Sequence, residues 1–302
     1  MNKIFFCALV FIAIKSFAQD PTFTQYYSSG LQMNPAFAGA YANPALSFLY
    51  RSQWPSLSGN FIDYTVSYNH YINKLKSGFG LYYMNETEGD IYKTQSYHFD
   101  FSPSISLDSN WVLKPALEVA HYRKHADLAA LYPYYIHTIF PPSEKEYIDF
   151  SAGLLLYKKY FDFGFAVHHL LEPDERFFAY NESPLPRRYI AHTSGNIPLN
   201  KKESSFLSLG IHFIKQQNFR QLRLNVAAKL YMILLQVGYY NKDSISLMAG
   251  ITNKQFRISY SYDITTSKLR NAAAGSHEFF VSFFIVNEKI KNKKPALNRV
   301  AF

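Results

Sequence analysis

Two short groups of residues have side chains that could support metal binding or acid–base chemistry. His168 and His169 precede Glu172, and His277 is followed by Glu278. A zinc site needs three or four ligands in one closed geometry. Adjacent residues of a strand point to opposite faces, so neither group is expected to share one ion. We therefore predict no metal site and no cofactor.

Catalytic motifs are absent from the sequence. It contains no GxSxG elbow, Walker loop, Rossmann glycine set or HExxH pair, each of which would have indicated a specific reaction class. The sequence motifs therefore indicate no specific reaction. A barrel hydrolase with a serine–histidine pair stays open as an alternative, although no spacing selects the residues.

Apolar and polar residues alternate with a period of two through most of the chain. Clear examples are residues 62–69, 222–230 and 256–263. A membrane barrel places the apolar face of such strands on lipid and the polar face in the lumen. A soluble β-sandwich would show the same period with the opposite sense. Aromatic residues make up 18% of the chain and charged residues only 18%, a low charge content for a soluble domain.

The N-terminus has the pattern of a secretory signal peptide, which favours the membrane barrel. Lys3 precedes an apolar run at residues 4–14, and Ser16-Phe17-Ala18 resembles a cleavage site. The run is too short to span a bilayer as a helix. We predict a signal peptide at residues 1–18, which contains the only cysteine, Cys7. The predicted location is the outer membrane.

The alternation predicts an all-β fold: a transmembrane antiparallel β-barrel of about fourteen strands over residues 45–286. An even number of strands places both barrel ends in the periplasm, with short turns there and longer loops outside. The longest predicted loops, 123–146, 170–186 and 264–276, all follow odd strands. The predicted strands are 45–54, 61–71, 77–85, 93–102, 111–122, 147–157, 160–169, 187–196, 204–214, 219–230, 232–240, 244–251, 255–263 and 277–286.

Charged residues of both signs occupy the lumen-facing positions of these strands. Buried charges need partners, so we expect them to pair with one another or with a segment inside the barrel. Arg51 and Asp63 lie on adjacent strands and are predicted to pair across them. The remaining lumen-facing charges are Asp100, Glu118, Arg223, Lys229, Arg257, Asp263 and Glu278.

Three segments outside the predicted strands are candidate contact surfaces. Residues 19–44 form an N-terminal periplasmic or plug segment, in which residues 20–40 are rich in Phe and Tyr and do not alternate. The loop 123–146 contains the apolar run 131–142, which needs a covering surface. Residues 287–302 form a basic periplasmic tail, which is not expected to meet nucleic acid in an exported protein. The basic residues of the tail are Lys289, Lys291, Lys293, Lys294 and Arg299.

An ordered series of short pieces resembles the PorP/SprF family, outer-membrane proteins of the type IX secretion system of Bacteroidota. The pieces are an N-terminal signature, a YRxQW strand, residues 149–154, an HL…EP piece near His169, and a closing YSYD…GSHE hairpin. Each piece is short, and the ordered set is specific. The signature residues, also predicted as partner contacts, are Gln25, Tyr26, Asn34, Pro35, Ala36, Gly39, Arg51, Gln53, Trp54, Tyr260, Ser261, Tyr262, Asp263, Gly275, Ser276, His277 and Glu278.

The resemblance implies an outer-membrane barrel without enzymatic activity. It implies support for the export or surface attachment of particular large proteins, such as adhesins, that carry C-terminal sorting domains. It also implies partners among the secretion components and outer-membrane lipid, and, in some members, a peptidoglycan-linked periplasmic lipoprotein and gliding motility. The alternative from the residues themselves is an outer-membrane solute channel, since other fourteen-stranded barrels transport solutes.

Overall fold

The computed structural model describes residues 20–286, except 27, 42, 58, 90, 128–142, 178–181 and 272–273. The predicted signal peptide 1–18, the apolar run 131–142 and the basic tail 287–302 lie outside the described residues. Those three predictions therefore stay predictions.

Fourteen strands form a closed antiparallel ring. Each strand pairs with its neighbour in the chain, β1 pairs with β15 to close the ring, and β4 pairs with β6. A two-residue strand, β5, pairs with β6 beside the ring. The strands are β1 Ala45–Gln53, β2 Phe61–Ile72, β3 Ser77–Glu88, β4 Tyr92–Pro103, β5 Ile105–Ser106, β6 Val112–Ala126, β7 Ser143–Lys158, β8 Phe161–His168, β9 Arg188–Pro198, β10 Phe206–Gln216, β11 Phe219–Leu230, β12 Ile233–Tyr240, β13 Ser244–Thr252, β14 Phe256–Thr265 and β15 Ser276–Phe284.

The alternating residues divide between the two faces of the ring. In β10, Leu209, Ile211 and Phe213 are exposed on the outer face, whereas Ser208 and His212 are buried in the lumen. Apolar side chains outside and polar side chains inside are the pattern of a barrel surrounded by lipid. The predicted all-β class and the fourteen-stranded barrel are confirmed.

The largest difference from the predicted strands lies in the hairpin of β6 and β7. The prediction ended the first strand at 122 and began the second at 147, but the ladder continues to Ala126 and Ser143. The extra residues are polar, and Arg123 forms an exposed ion pair with Glu144 at 2.7 Å. The alternation of apolar and polar residues ends where the strands leave the membrane, but the strands stay paired beyond that point. A prediction from alternation therefore ends these strands too early.

The two rims of the barrel carry different connections. The terminal rim, where β1 begins at Ala45 opposite Phe284 of β15, has short turns such as residues 159–160 and 231–232. The loop rim, at the other end, has the long connections 127–142 and 169–187. By the general rule for outer-membrane barrels, the terminal rim faces the periplasm.

Helical structure is sparse in the part of the chain that the structure describes. A one-turn α-helix, α1 Gly30–Met33, and a 3-10 helix at Pro35–Phe37 lie before β1, and a second 3-10 helix at Lys268–Asn271 lies before β15. Among the described residues, no helix is both long enough and apolar enough to span a membrane.

Candidate functional site: the segment inside the barrel

Residues 20–41, here called the lumen segment, run through the barrel from the loop rim to the terminal rim. Asp20 contacts His169 and Arg188 near the loop rim. Ala38 and Gly39 approach Gly78, next to the short turn between β2 and β3. Along residues 20–33 the cavities beside the segment are small, about 70 Å³ toward the loop rim and about 30 Å³ near Tyr26. The segment therefore occupies the space that a solute would need.

Apolar side chains of the segment pack against the inner wall. Ala36 and Phe37 join a buried cluster with Leu155 and Ile190 of the wall. A second cluster includes Leu31 of the segment and Leu49 of β1. The non-alternating Phe and Tyr of the segment thus bury their apolar surface inside an otherwise polar lumen, which stabilises the packed state.

Two wall glycines give the segment its space. A Cβ atom at Gly78 would lie 1.9 Å from the carbonyl oxygen of Ala38. A Cβ atom at Gly153 would lie 2.2 Å from Oδ1 of Asn34. Gly39 has φ +63°, a left-handed conformation that glycine adopts without steric cost. The backbone of the segment therefore approaches the wall more closely than a wall of side chains would allow.

The Asn34-Pro35-Ala36 turn is held by its own asparagine. Oδ1 of Asn34 accepts a hydrogen bond from the Ala36 amide at 2.9 Å, which caps the 3-10 helix. Its Nδ2 donates to the carbonyl oxygens of Leu154 at 3.2 Å and Phe165 at 3.4 Å. Pro35 begins the helix, a position where its missing N–H costs nothing. One side chain thus fixes the turn and joins it to β7 and β8.

A buried ionic cluster joins the segment to β1, β14 and β15. Arg51 forms ion pairs with Asp263 at 2.8 Å and with Glu278 at 3.2 Å, and it donates to Oγ1 of Thr24 at 2.7 Å. Glu278 accepts from the backbone amides of Thr24 at 2.7 Å and Gln25 at 2.8 Å. All five residues are buried.

The predicted partner of Arg51 was wrong. Asp63 lies directly opposite Arg51 in the ladder, but the guanidinium ion-pairs with Asp263 and Glu278 instead. The closure of the ring between β1 and β15 brings Glu278 opposite Arg51 as well. The prediction considered only strands that follow one another in the chain. It therefore could not include Glu278, which lies near the other end of the chain.

At the loop rim, His169 lies between two carboxylates. Its Nε2 is 2.8 Å from Asp20, and its Nδ1 is 2.8 Å from Asp149. Burial lowers the pKa of His169, but the two carboxylates outweigh this effect and raise it to about 10. Burial alone would raise the pKa of Asp20, but His169 and Arg188 lower it well below its ordinary value. The pair is therefore ionic at neutral pH.

The expectation that His168 and His169 point to opposite faces was also wrong. β8 ends at His168, and His169 has φ +59°, so strand alternation no longer applies to it. Both side chains are buried, and Nε2 of His168 lies 3.2 Å from the carbonyl oxygen of Met33 in the lumen segment. Among the described residues, no three or more His, Cys, Asp or Glu side chains are grouped so that they could hold a metal ion.

A family model for the type IX secretion system membrane protein PorP/SprF matches residues 15–283. This chain belongs to the PorP/SprF family. The match covers the lumen segment and nearly all of the barrel, so the family and the fold together place the protein in the outer membrane. No curated protein matches the chain.

Solved structures with a similar fold are outer-membrane barrels. The P. putida toluene transporter TodX is 8% identical, covers 85% of this chain and 93% of its own, and has a TM-score of 0.52. The CymD monoaromatic hydrocarbon channel is 9% identical, covers 85% and 91%, and has a TM-score of 0.50. At this identity the likeness shows the barrel fold alone.

Many PorP/SprF signature residues lie in the lumen. Oε1 of Gln25 accepts a hydrogen bond from Ser259, and its Nε2 lies 3.4 Å from Oγ of Ser261. Tyr26 packs edge to face on the ring of His212. Sequence reasoning missed Thr24, which the ionic cluster requires. The buried signature residues are Gln25, Tyr26, Asn34, Pro35, Ala36, Gly39, Arg51, Ser261, Asp263, Gly275, Ser276 and Glu278.

The other signature residues lie on the outer face or at the loop rim. The Tyr260 hydroxyl is 2.7 Å from Nδ1 of His277, on the outer face. The Tyr262 hydroxyl donates to the carbonyl oxygen of Ala274 at 2.7 Å. The amide of Trp54, just after Gln53, donates to the carbonyl oxygen of Gly275 at 2.9 Å. Partner contact by these residues stays a prediction.

Three further lumen charges are placed by their contacts or their strand pairing. Glu118 accepts hydrogen bonds from Tyr82 and Ser151, both at 2.7 Å, and Asp100 is buried opposite it in the ladder. Arg223 donates to the carbonyl oxygen of Phe23 in the lumen segment at 2.8 Å. Glu118 thus connects neighbouring strands of the wall, and Arg223 connects the wall to the lumen segment. Both charges stabilise the structure.

Proposed function

We propose that this protein supports the export or surface attachment of specific large cargo proteins, adhesins among them, through the type IX secretion system. The observation that carries the proposal is the lumen segment, which fills the barrel of a PorP/SprF family member. A barrel occupied by its own chain acts through its surfaces. The cargo would carry C-terminal sorting domains, and loss of a motility adhesin would connect the protein to gliding.

The two rims supply the proposed contact surfaces. The loop rim would face the cell exterior, where cargo is retained, and it includes the connection between β6 and β7. The terminal rim would face the periplasm, where the tail 287–302 and a peptidoglycan-linked lipoprotein would meet. Deleting 287–302 should weaken the capture of periplasmic partners in a pull-down, and unchanged capture would remove the tail from the proposal.

We also propose that the protein has no catalytic activity. Glu118 accepts a hydrogen bond from Ser151 of the wall, and His169 contacts Asp149 of the wall and Asp20 of the lumen segment. Lipid or peptide hydrolysis by the purified protein, lost in His168→Ala, would contradict this part.

The test is a quantitative comparison of surface and secreted proteins between the parent strain and a strain lacking this gene. We expect one or a few large sorting-domain proteins to leave the surface, and complementation to restore them. Loss of every sorting-domain protein would make the protein a core part of the machinery. An unchanged surface proteome would contradict the proposal.

A solute channel is the second candidate, because two structures with a similar fold are a toluene transporter and a hydrocarbon channel. For this function the lumen segment would have to move aside. Swelling of liposomes that contain the full chain, in a solute gradient, would favour the channel. Sealed liposomes would favour the secretion role.

A further inference from the structure

A cavity of about 440 Å³ opens at the terminal rim, between the end of the lumen segment and the wall. We call it the rim pocket. Its lining includes three cations, Lys229, Lys254 and Arg257, together with the aromatic rings of Tyr41 and Phe284. The volume lies in the range of roughly 300–1,000 Å³ that is usual for ligand sites.

The charged side chains that line the rim pocket are all cations among the residues that the structure describes, and none of these lining residues is a carboxylate. Within the part of the chain that the structure describes, neither Lys229 nor Lys254 forms an ion pair with Asp or Glu. The deeper Arg51 is different, because it contacts two carboxylates. Cations of one sign in a concave, partly desolvated site create a positive potential that attracts an anion.

The rim pocket belongs to the lumen side of the barrel. Arg257 is buried and alternates with Ile258, whose side chain is exposed on the outer face. The guanidinium of Arg257 lies 5.8 Å from the ring centre of Phe284, which supplies an apolar surface beside the charge. A ligand would therefore enter from the water at the periplasmic rim rather than from the lipid.

We propose that the rim pocket binds an acidic peptide segment of a periplasmic protein. The carboxylates would contact Lys229, Lys254 and Arg257, and an apolar side chain would pack beside Tyr41 and Phe284. Charge-assisted hydrogen bonds and a buried aromatic contact are the combination that gives such segments affinity and orientation. The inference rests on the proposed function only in identifying the segment's source as a secretion component.

The test uses the full chain in nanodiscs of zwitterionic lipid. The probe is a fluorescein-labelled hexapeptide of alternating glutamate and phenylalanine, and its counterpart has glutamine in place of glutamate. Fluorescence anisotropy should show binding of the acidic peptide and little binding of the neutral one. Lys229→Gln and Lys254→Gln should each lower the affinity about five- to tenfold, since tenfold corresponds to about 1.4 kcal/mol. Lys202→Gln, an exposed lysine on the same rim outside the pocket, should change it less than about twofold.

Two results would overturn the proposal. Equal affinity of the acidic and neutral peptides, or of wild type and Lys229→Gln, would show that the pocket does not recognise carboxylates. Complete displacement of the peptide by inorganic phosphate, or by vesicles of anionic phospholipid, at equal concentration would assign the pocket to phosphate groups. Because binding is measured without secretion, an unchanged surface proteome would reject the proposed function and leave this result to stand separately.

Discussion

The inner part of the barrel and its periplasmic rim use positive charge in opposite ways. Inside, Arg51 contacts Asp263 and Glu278. At the terminal rim, the cations of the rim pocket share their cavity with aromatic rings, and none of the described lining residues is a carboxylate. Paired charges hold the lumen segment in place, whereas Lys229 and Lys254 offer their charge to another molecule. Variants of both regions can break or sharpen this contrast.

Removing the cation from the inner cluster should cost the most. Arg51→Gln leaves Asp263 and Glu278 buried without their counter-charge, and breaking a buried pair costs about 3–5 kcal/mol. The expected result is a large drop in the temperature at which the purified barrel unfolds on semi-native gels. The matched control is Arg123→Gln, which breaks the exposed pair with Glu144 and should lower the unfolding temperature far less, because water screens this pair. Equal drops for both variants would contradict the role given to the cluster.

A single added methyl group can disrupt the close packing of the lumen segment against the wall. Gly78→Ala places a methyl group against the carbonyl oxygen of Ala38, so the segment must shift, at a cost of about 1–3 kcal/mol. The unfolding temperature measures the loss of stability, and the bilayer conductance measures whether the shifted segment opens the lumen. Gly195→Ala is the control, because a Cβ atom there has no neighbour within 4 Å. A destabilised control with an unaffected Gly78→Ala would refute the packing described for the segment.

The His169 contact predicts a pH dependence. The pKa of His169 is raised to about 10 in the folded protein, above an unfolded value of about 6.5. Its protonation therefore adds stability that is complete below about pH 6.5 and is lost as the pH rises through about 10. Unfolding temperatures at several pH values should show this loss in the wild type and less of it in His169→Gln. Parallel curves for the two proteins would argue against an ionic contact.

The smallest effect is expected at the rim pocket. Lys229→Gln removes a charge that has no carboxylate partner among the described residues, so stability should change by about 0.5 kcal/mol or less. The same variant is expected to lose affinity for the acidic peptide. A drop in unfolding temperature as large as that of Arg51→Gln would show that both regions use charge in the same way.

The barrel could be predicted from the sequence because alternation is a local property. The period of two in residues 256–263 already separates Arg257 from Ile258. The predicted ends of β6 and β7 were less accurate, because the ladder continues into water. There the residues are polar on both faces and no longer show the alternation of a lipid-facing strand. The pairing of Arg51 needed the closure of the ring, which joins β1 to β15 and depends on the whole chain.

The site inside the barrel was only partly predictable. The Phe and Tyr content of residues 20–40 indicated a segment that needs a covering surface. The wall residues that it contacts were harder to predict. Gly78 and Gly153 make room for the segment because they have no side chain. Lumen-facing glycines in otherwise regular strands were the available signal for a close backbone approach. The left-handed backbone of His169 has no comparable signal in the sequence.

The most direct test of a barrel closed by its own chain is the conductance of the full protein in planar lipid bilayers. We predict that wild-type barrels stay sealed. Gly78→Ala should conduct more than Gly195→Ala, because the lumen segment has been displaced. A large, steady conductance of the wild type, unchanged by Gly78→Ala, would contradict the closure of the barrel by the lumen segment.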